Sequence, residues 1–188
     1  MKSGLRFIYQ HPLISEQDLE EIAAFHHPVD FGKNEFLLKD GQTADSYYIL
    51  NEGLVRAFVH DYDNTEITTE FFVGNDIVIV PSSLFQKNPS MENLQAVTDC
   101  SLLEIKYDDF QTLFHKIEGM REWGRMWFTY QLFAVKQRSL DMVMESATER
   151  YRKLMQEKPQ ILLNAPLKQI ASYLGITDSS LSRIRREI

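Results

Sequence analysis

Apolar residues recur along this chain with three different periods, and the changes of period divide it. Between Leu13 and Phe25, in LISEQDLEEIAAF, Leu19, Ile22, Ala23 and Phe25 fall at helical spacing behind Ser15, a good N-cap. From about Phe31 to Ile105 the runs shorten and alternate: EFLLKDG, SYYILNEGLVRAFVHD, TEITTEFFVGNDIVIV and ENLQAVTDCSLLEI. Gly32, Gly41, Gly53, Gly74, a DYDN turn and Pro81 punctuate them. Strands of ~4–8 residues at ~8–12-residue spacing predict a β-sandwich or barrel. GLVRAFV shows the alternation, with Leu54, Arg56 and Phe58 on one face and Val55, Ala57 and Val59 on the other.

The helical period returns from about Tyr107 to Glu157, where Gly119 and Gly124 are the only Gly or Pro residues. Met120, Trp123, Trp127, Tyr130 and Ala134 form a coiled-coil-like seam, the candidate dimer interface. A second stripe, Met126, Phe133 and Leu140, runs elsewhere around the same helix. Two stripes imply two partners: one can cover the β domain and the other can meet a second chain. One wide stripe buried within a monomer is the alternative.

After EKPQ comes a short unit, LKQIASYLGITDSSLSRIRREI. Two helices crossing steeply need a small residue at the crossing, a residue able to take positive φ in the turn, and apolar residues closing the core from both sides. Ala171 meets the first demand, Gly175 the second, and Ile170, Leu174, Ile176, Leu181 and Ile184 the third. A second helix beginning at Thr177 or Asp178 exposes Ser179, Ser180, Ser182 and Arg183. Such a face suits a DNA major groove: Arg addresses guanine O6 and N7, and Ser bonds a base edge or a phosphate. Lys168, Arg185 and Arg186 are candidates for backbone contacts, and Thr177 lies at the same surface.

Charge sharpens this picture. The net charge of −7 over 188 residues conceals a division. Residues 1–147 carry 12 Lys and Arg against 23 Asp and Glu, a net of −11, while residues 148–188 carry 8 against 4, a net of +4. A polyanion would dock at the basic end and be repelled by the body. The single cysteine, Cys100, excludes an internal disulfide, a cysteine-ligated iron–sulfur cluster and a cysteine-based zinc site. Neither a run of ~18 apolar residues nor a signal-peptide apolar core is present, so a cytoplasmic protein without a membrane partner is expected.

On these segments the chain resembles the Crp–Fnr family of bacterial transcription regulators. FLLKDGQTADSYYILNEGLVRAFV is similar to the first half of the family's cyclic-nucleotide-binding-like β-roll. LQAVTDCSLLEIKYDDFQTLF is similar to its closing strands and the turn into the dimerisation helix, and PLKQIASYLGITDSSLSRIRREI to its helix-turn-helix. The resemblance implies an α+β fold: a β-roll (double-stranded β-helix) over 1–115, a dimerisation helix over 116–146 and a helix-turn-helix over 147–188. It implies a homodimer on a two-fold symmetric DNA operator, with Ser179, Ser180 and Arg183 at the base-reading positions. RNA polymerase would be a further partner of an activator, but no polymerase-contacting surface is identifiable.

Two departures qualify this. Cyclic-nucleotide-binding members use a Gly-Glu pair for the ribose and an Arg followed by a small residue for the phosphate. In VGNDIVIVPSSLFQKNPSMENLQAV no Gly-Glu occurs, Ser90-Met91 stands where the Arg pair would fall, and no arginine lies between Arg56 and Arg121. Lys87 is a poor substitute for a planar guanidinium. Cyclic AMP is therefore disfavoured, no cofactor is expected, and the effector, if any, stays open. So does a haem ligand among His11, His26, His27, His60 and His115. The second departure is the family's β-hairpin wing, absent or truncated in a sequence that stops at Ile188. Catalysis has no support: a cupin-type metal site needs clustered ligands, and the β region holds only His60. A ligand-sensing or protein-interaction module with a vestigial helix-turn-helix is the remaining alternative.

Overall fold

The computed structural model describes residues 2–188. Two short helices, α1 (Lys2–Ile8) and α2 (Glu16–Ala24), precede eight strands: β1 (His27–Phe31), β2 (Phe36–Leu38), β3 (Ser46–Glu52), β4 (Val55–His60), β5 (Glu66–Phe72), β6 (Ile77–Val78), β7 (Asn93–Ala96) and β8 (Cys100–Lys106). A short helix, α3 (Pro81–Gln86), interrupts the strands before β7. Helices α4 (Tyr107–Lys116), α5 (Glu118–Met144), α6 (Ala147–Glu157), α7 (Pro159–Asn164), α8 (Leu167–Tyr173) and α9 (Asp178–Glu187) follow. The mixed β-roll, long helix and terminal helices agree with the expected fold class.

Ser15 caps α2 as anticipated, in a capping box with Asp18. The strands form two antiparallel sheets, ordered β1-β8-β3-β6 and β2-β7-β4-β5. Sequence neighbours Ile49 and Leu50, and Leu102 and Leu103, are all buried, so both faces of β3 and β8 are covered. One face meets the other sheet through Val55, Ala57 and Leu94, and the other meets the helices through Tyr9, Ile22, Phe110 and Met120.

A buried polar chain ties these helices to the sheet. His26 Nδ1 lies 2.8 Å from the Ile22 carbonyl, which can only accept, so Nδ1 donates. In the neutral ring Nε2 then accepts from the Tyr9 hydroxyl at 2.9 Å, and Tyr47 donates to Tyr9 at 2.6 Å. Burial holds the His26 pKa below its ordinary value, which keeps the ring neutral. Trp123 Nε1 donates to the Ile8 carbonyl at 2.7 Å, fastening α5 to α1. At the start of α5, a Cβ on Gly119 would meet the Leu13 carbonyl at 2.5 Å, so only glycine permits this approach.

The helical stretch from Tyr107 to Glu157 is not continuous. It breaks at Ile117 and again at Glu145, both extended in backbone. The second break is written locally: Ser146 and Glu149 form a capping box that starts α6. Strand β4 also departs from a one-faced strand, because Arg56 and Phe58 are buried along with Val55 and Ala57. Arg56 lies over the Phe58 ring at 4.0 Å and bonds Glu66 and Gln95.

Candidate nucleic-acid interface

All three steric demands of the C-terminal unit are met. Ala171 is buried at the crossing, with Ile170, Leu174, Leu181 and Ile184 closing the core around it. Gly175 takes φ +67°. Its amide bonds the Ser172 carbonyl and the Ile176 amide bonds the Ala171 carbonyl, both at 3.0 Å. These are the two bonds of a Schellman motif, so α8 ends where glycine lets it.

Thr177 caps α9, accepting from the Ser180 amide at 3.3 Å. Its hydroxyl also lies 3.0 Å from those of Ser179 and Ser180, so the cap engages all three. Ser179, Arg183, Arg185 and Arg186 are exposed on α9, with Ser180 and Ser182 half-buried, and Lys168 is exposed on the first turn of α8. Arg186 Nε donates to the Ser182 carbonyl of its own helix. Among the described residues none of these basic side chains meets a carboxylate within ion-pair distance.

This unit does not hang free. Leu54, Phe71, Val73 and Val97 of the β-roll share one buried apolar cluster with Tyr151, Leu154, Ile161, Ile170 and Ala171. Helix α8 runs along β5, the edge strand of its sheet. There the Thr68 amide donates to Ser172 Oγ at 3.2 Å, and the Phe71 and Tyr173 rings pack edge-to-face at 5.2 Å. Lys158 donates to the Phe71 carbonyl and pairs with Asp76 at 3.0 Å. Burial works to lower the Lys158 pKa, but Asp76, Glu70 and Tyr173 together outweigh it and raise the pKa. Helix covering thus disposes of an open strand edge.

The dimer seam needs correction. Met120 and Trp123 are 0% and 7% exposed, packed in the chain's own core, and Trp127 packs partly against it. Trp123 lies against Tyr9 with ring centroids 4.6 Å apart. Tyr130 and Ala134, further along the same stripe, are exposed. The other stripe is free. Met126, Thr129, Phe133, Lys136, Leu140 and Val143 recur at alternating spacings of three and four, and all are exposed. Both stripes carry the same spacing, and tertiary packing decides that Met120 and Trp123 of the first meet the roll.

Ser90 and Met91 lie in the turn before β7. The Ser90 hydroxyl closes its own turn, donating to the Glu92 carbonyl and accepting from the Glu92 amide. Met91 is exposed, and the Glu92 carboxylate accepts from the Thr69 hydroxyl at 2.6 Å. Lys87 is directed away, its ammonium 3.6 Å above the Tyr107 ring. Glu70 is half-buried near Glu92, and desolvation raises its pKa. Helix α3, which the sequence reading did not anticipate, starts with Pro81 in its first turn.

The chain thus joins an antiparallel β-roll, a long helix packed on the roll at its N-terminal end, and a docked pair of crossing helices around a glycine turn. Residues 28–116 match the cyclic nucleotide-binding domain. The chain is similar to FixK2 from Bradyrhizobium japonicum, with 18% identity, a TM-score of 0.74, and 86% of this chain and 83% of that one covered. It is similar to the c-di-GMP-responsive global regulator CLP of Xanthomonas campestris, with 15% identity, a TM-score of 0.71, and 92% and 91% covered. The catabolite activator protein of Thermus thermophilus matches with 15% identity, a TM-score of 0.62, and 96% and 85% covered. No curated protein sequence matches the chain. The chain has the fold of the Crp–Fnr regulators. Among the described residues no helix is long and apolar enough to cross a membrane.

Proposed function

We propose that this protein is a homodimeric, sequence-specific DNA-binding transcription regulator that does not respond to cyclic AMP. The observation that carries the reading is α9 itself: a capped helix on a Schellman turn, its Ser179, Arg183 and Arg185 exposed and, among the described residues, its arginines unpaired with acid. In this reading Arg183 contacts a base edge, Ser179 and Ser180 adjoin it, and Lys168, Arg185 and Arg186 bind phosphates. The open stripe from Met126 to Val143 joins two copies and sets the half-site spacing.

Charge disfavours cyclic AMP in this reading. Ser90 and Met91 stand where the family's Arg pair would fall, and without a guanidinium the phosphate loses charge-assisted bonds of about 1.5–3 kcal/mol each. No cofactor enters the reading, and contact with RNA polymerase would follow only for an activator.

Selection of bound fragments from a randomised duplex library, at low and moderate salt, tests the reading. The protein is expected to recover a two-fold symmetric site, and Arg183→Ala to relax the preference at one base pair per half-site, by about 1–3 kcal/mol. Binding without consensus that fades steeply with salt would refute it.

A further inference from the structure

The carbonyls of Tyr173 and Leu174 close α8, immediately before the glycine turn that launches the reading helix. Such terminal carbonyls have no partner within their own helix. Here each accepts from an arginine of another element: Arg138 of α5 reaches Tyr173 at 3.3 Å, and Arg150 of α6 reaches Leu174 at 2.9 Å. Each guanidinium holds a second carbonyl as well. Arg138 donates to the Thr69 carbonyl of β5, and its carbon lies 4.1 Å from the centroid of the Tyr173 ring. Arg150 donates to the Glu145 carbonyl at 2.6 Å, at the break between α5 and α6. Neither arginine forms an ion pair among the described residues; the terminal nitrogens serve backbone carbonyls, while Arg150 Nε is buried without a partner. Only a planar fork can hold two carbonyls in fixed directions; an ammonium is a point charge.

We propose that Arg138 and Arg150 are positioning residues for DNA recognition, a clamp that fixes the helix-turn-helix against β5 and the long helix in its DNA-competent pose. The inference rests on the DNA-reading function proposed above. Docking leaves the groove-facing side of α9 open and its arginines unpaired, so the docked state is the active one rather than an inhibited one. Through Arg138, any twist or slide of α5 reaches the turn before α9. The geometry of the dimer helix and that of the reading helix are thereby linked through one side chain.

Arg138→Ala and the milder Arg138→Gln test this in the full chain, alone and with a staple of Thr68→Cys and Ser172→Cys. The backbone amide of Thr68 and the side chain of Ser172 already meet at 3.2 Å, and the native thiol Cys100 is buried. Loss of both charge-assisted bonds of Arg138 is expected to weaken operator binding roughly tenfold or more. The salt slope should stay unchanged, because no phosphate contact is removed. The oxidised staple should restore the affinity, and hydrogen exchange at the Thr68 and Gly175 amides should quicken in the unstapled variant. A slope lowered by about 1 marks a direct phosphate contact and overturns the clamp, as does a staple that fails to restore binding. Were the wild type to bind no operator, the proposed function would fall while the exchange rates alone decided the clamp: unchanged exchange in both variants overturns it.

Discussion

Replacing Phe133 by alanine separates the two faces of α5. Phe133 is 67% exposed in the single chain, on the outer stripe with Met126 and Leu140. Full burial of a phenylalanine side chain contributes about 1.5–3 kcal/mol, so covering two-thirds of it contributes about 1–2 kcal/mol per copy. A symmetric dimer covers it twice, and the double loss of about 2–4 kcal/mol raises the dimer Kd about 30- to 1,000-fold. Sedimentation equilibrium over a range of concentrations reads this directly. Met120→Ala is the control, since Met120 is fully enclosed by the chain's own core. It should cost about 2–5 kcal/mol of folding stability and leave the Kd of the folded protein unchanged. A Phe133→Ala protein whose Kd stays within about threefold of wild type would refute the argument that the outer stripe forms the dimer, given the per-side-chain burial energy used here.

Two further outcomes are expected. Protonating His26 would turn Nε2 into a donor facing Tyr9, whose own proton already points at it. Because the folded pKa is depressed, this stabilisation is complete above about pH 6.5 and is lost as pH falls below it, by up to about 1.4 kcal/mol per pH unit. Urea midpoints at pH 7.5 and 5.5 should show the drop, and His26→Gln should flatten it; an equal drop in the variant places the titration elsewhere. Gly175→Ala forces a side chain to φ +67°, and its Cβ would meet Met142 Cε at 2.6 Å, the movable end of that side chain. The backbone cost of about 1–2 kcal/mol should therefore dominate, lowering Tm by a few degrees; an unchanged Tm removes the left-handed turn from the account.

The parts legible in the sequence were those encoded within a few residues. Ser15 announces its cap, and Ala171, Gly175 and Leu181 announce the helix crossing, because each demand is local and steric. The S-A-T-E at Ser146 carries the same kind of signal for the break before α6. The assignment of the α5 stripes could not be read this way. Nothing in the local spacing says that Met120 and Trp123 face Tyr9 and Ile8, since that choice is made by helices more than a hundred residues earlier. The docking of α8 was hidden for a related reason: Leu54 and Phe71 read as ordinary strand residues, and the partner that buries them lies far along the chain. Arg138 offered no motif either, being one arginine on a long helix until the fold brings β5 and Tyr173 beside it.

Lys136 lies midway along the open stripe of α5. In a symmetric pair of such helices the two ammonium groups oppose each other near the axis, and their repulsion fades as ions are added, with a screening length of about 10 Å at 0.1 M salt. Attraction between α9 and phosphates fades under the same ions. Under the proposed function, ionic strength would therefore act with opposite signs on pairing and on the grip on DNA, and the several phosphate contacts would outweigh the single lysine pair. Added salt should then tighten the pair slightly while operator binding declines.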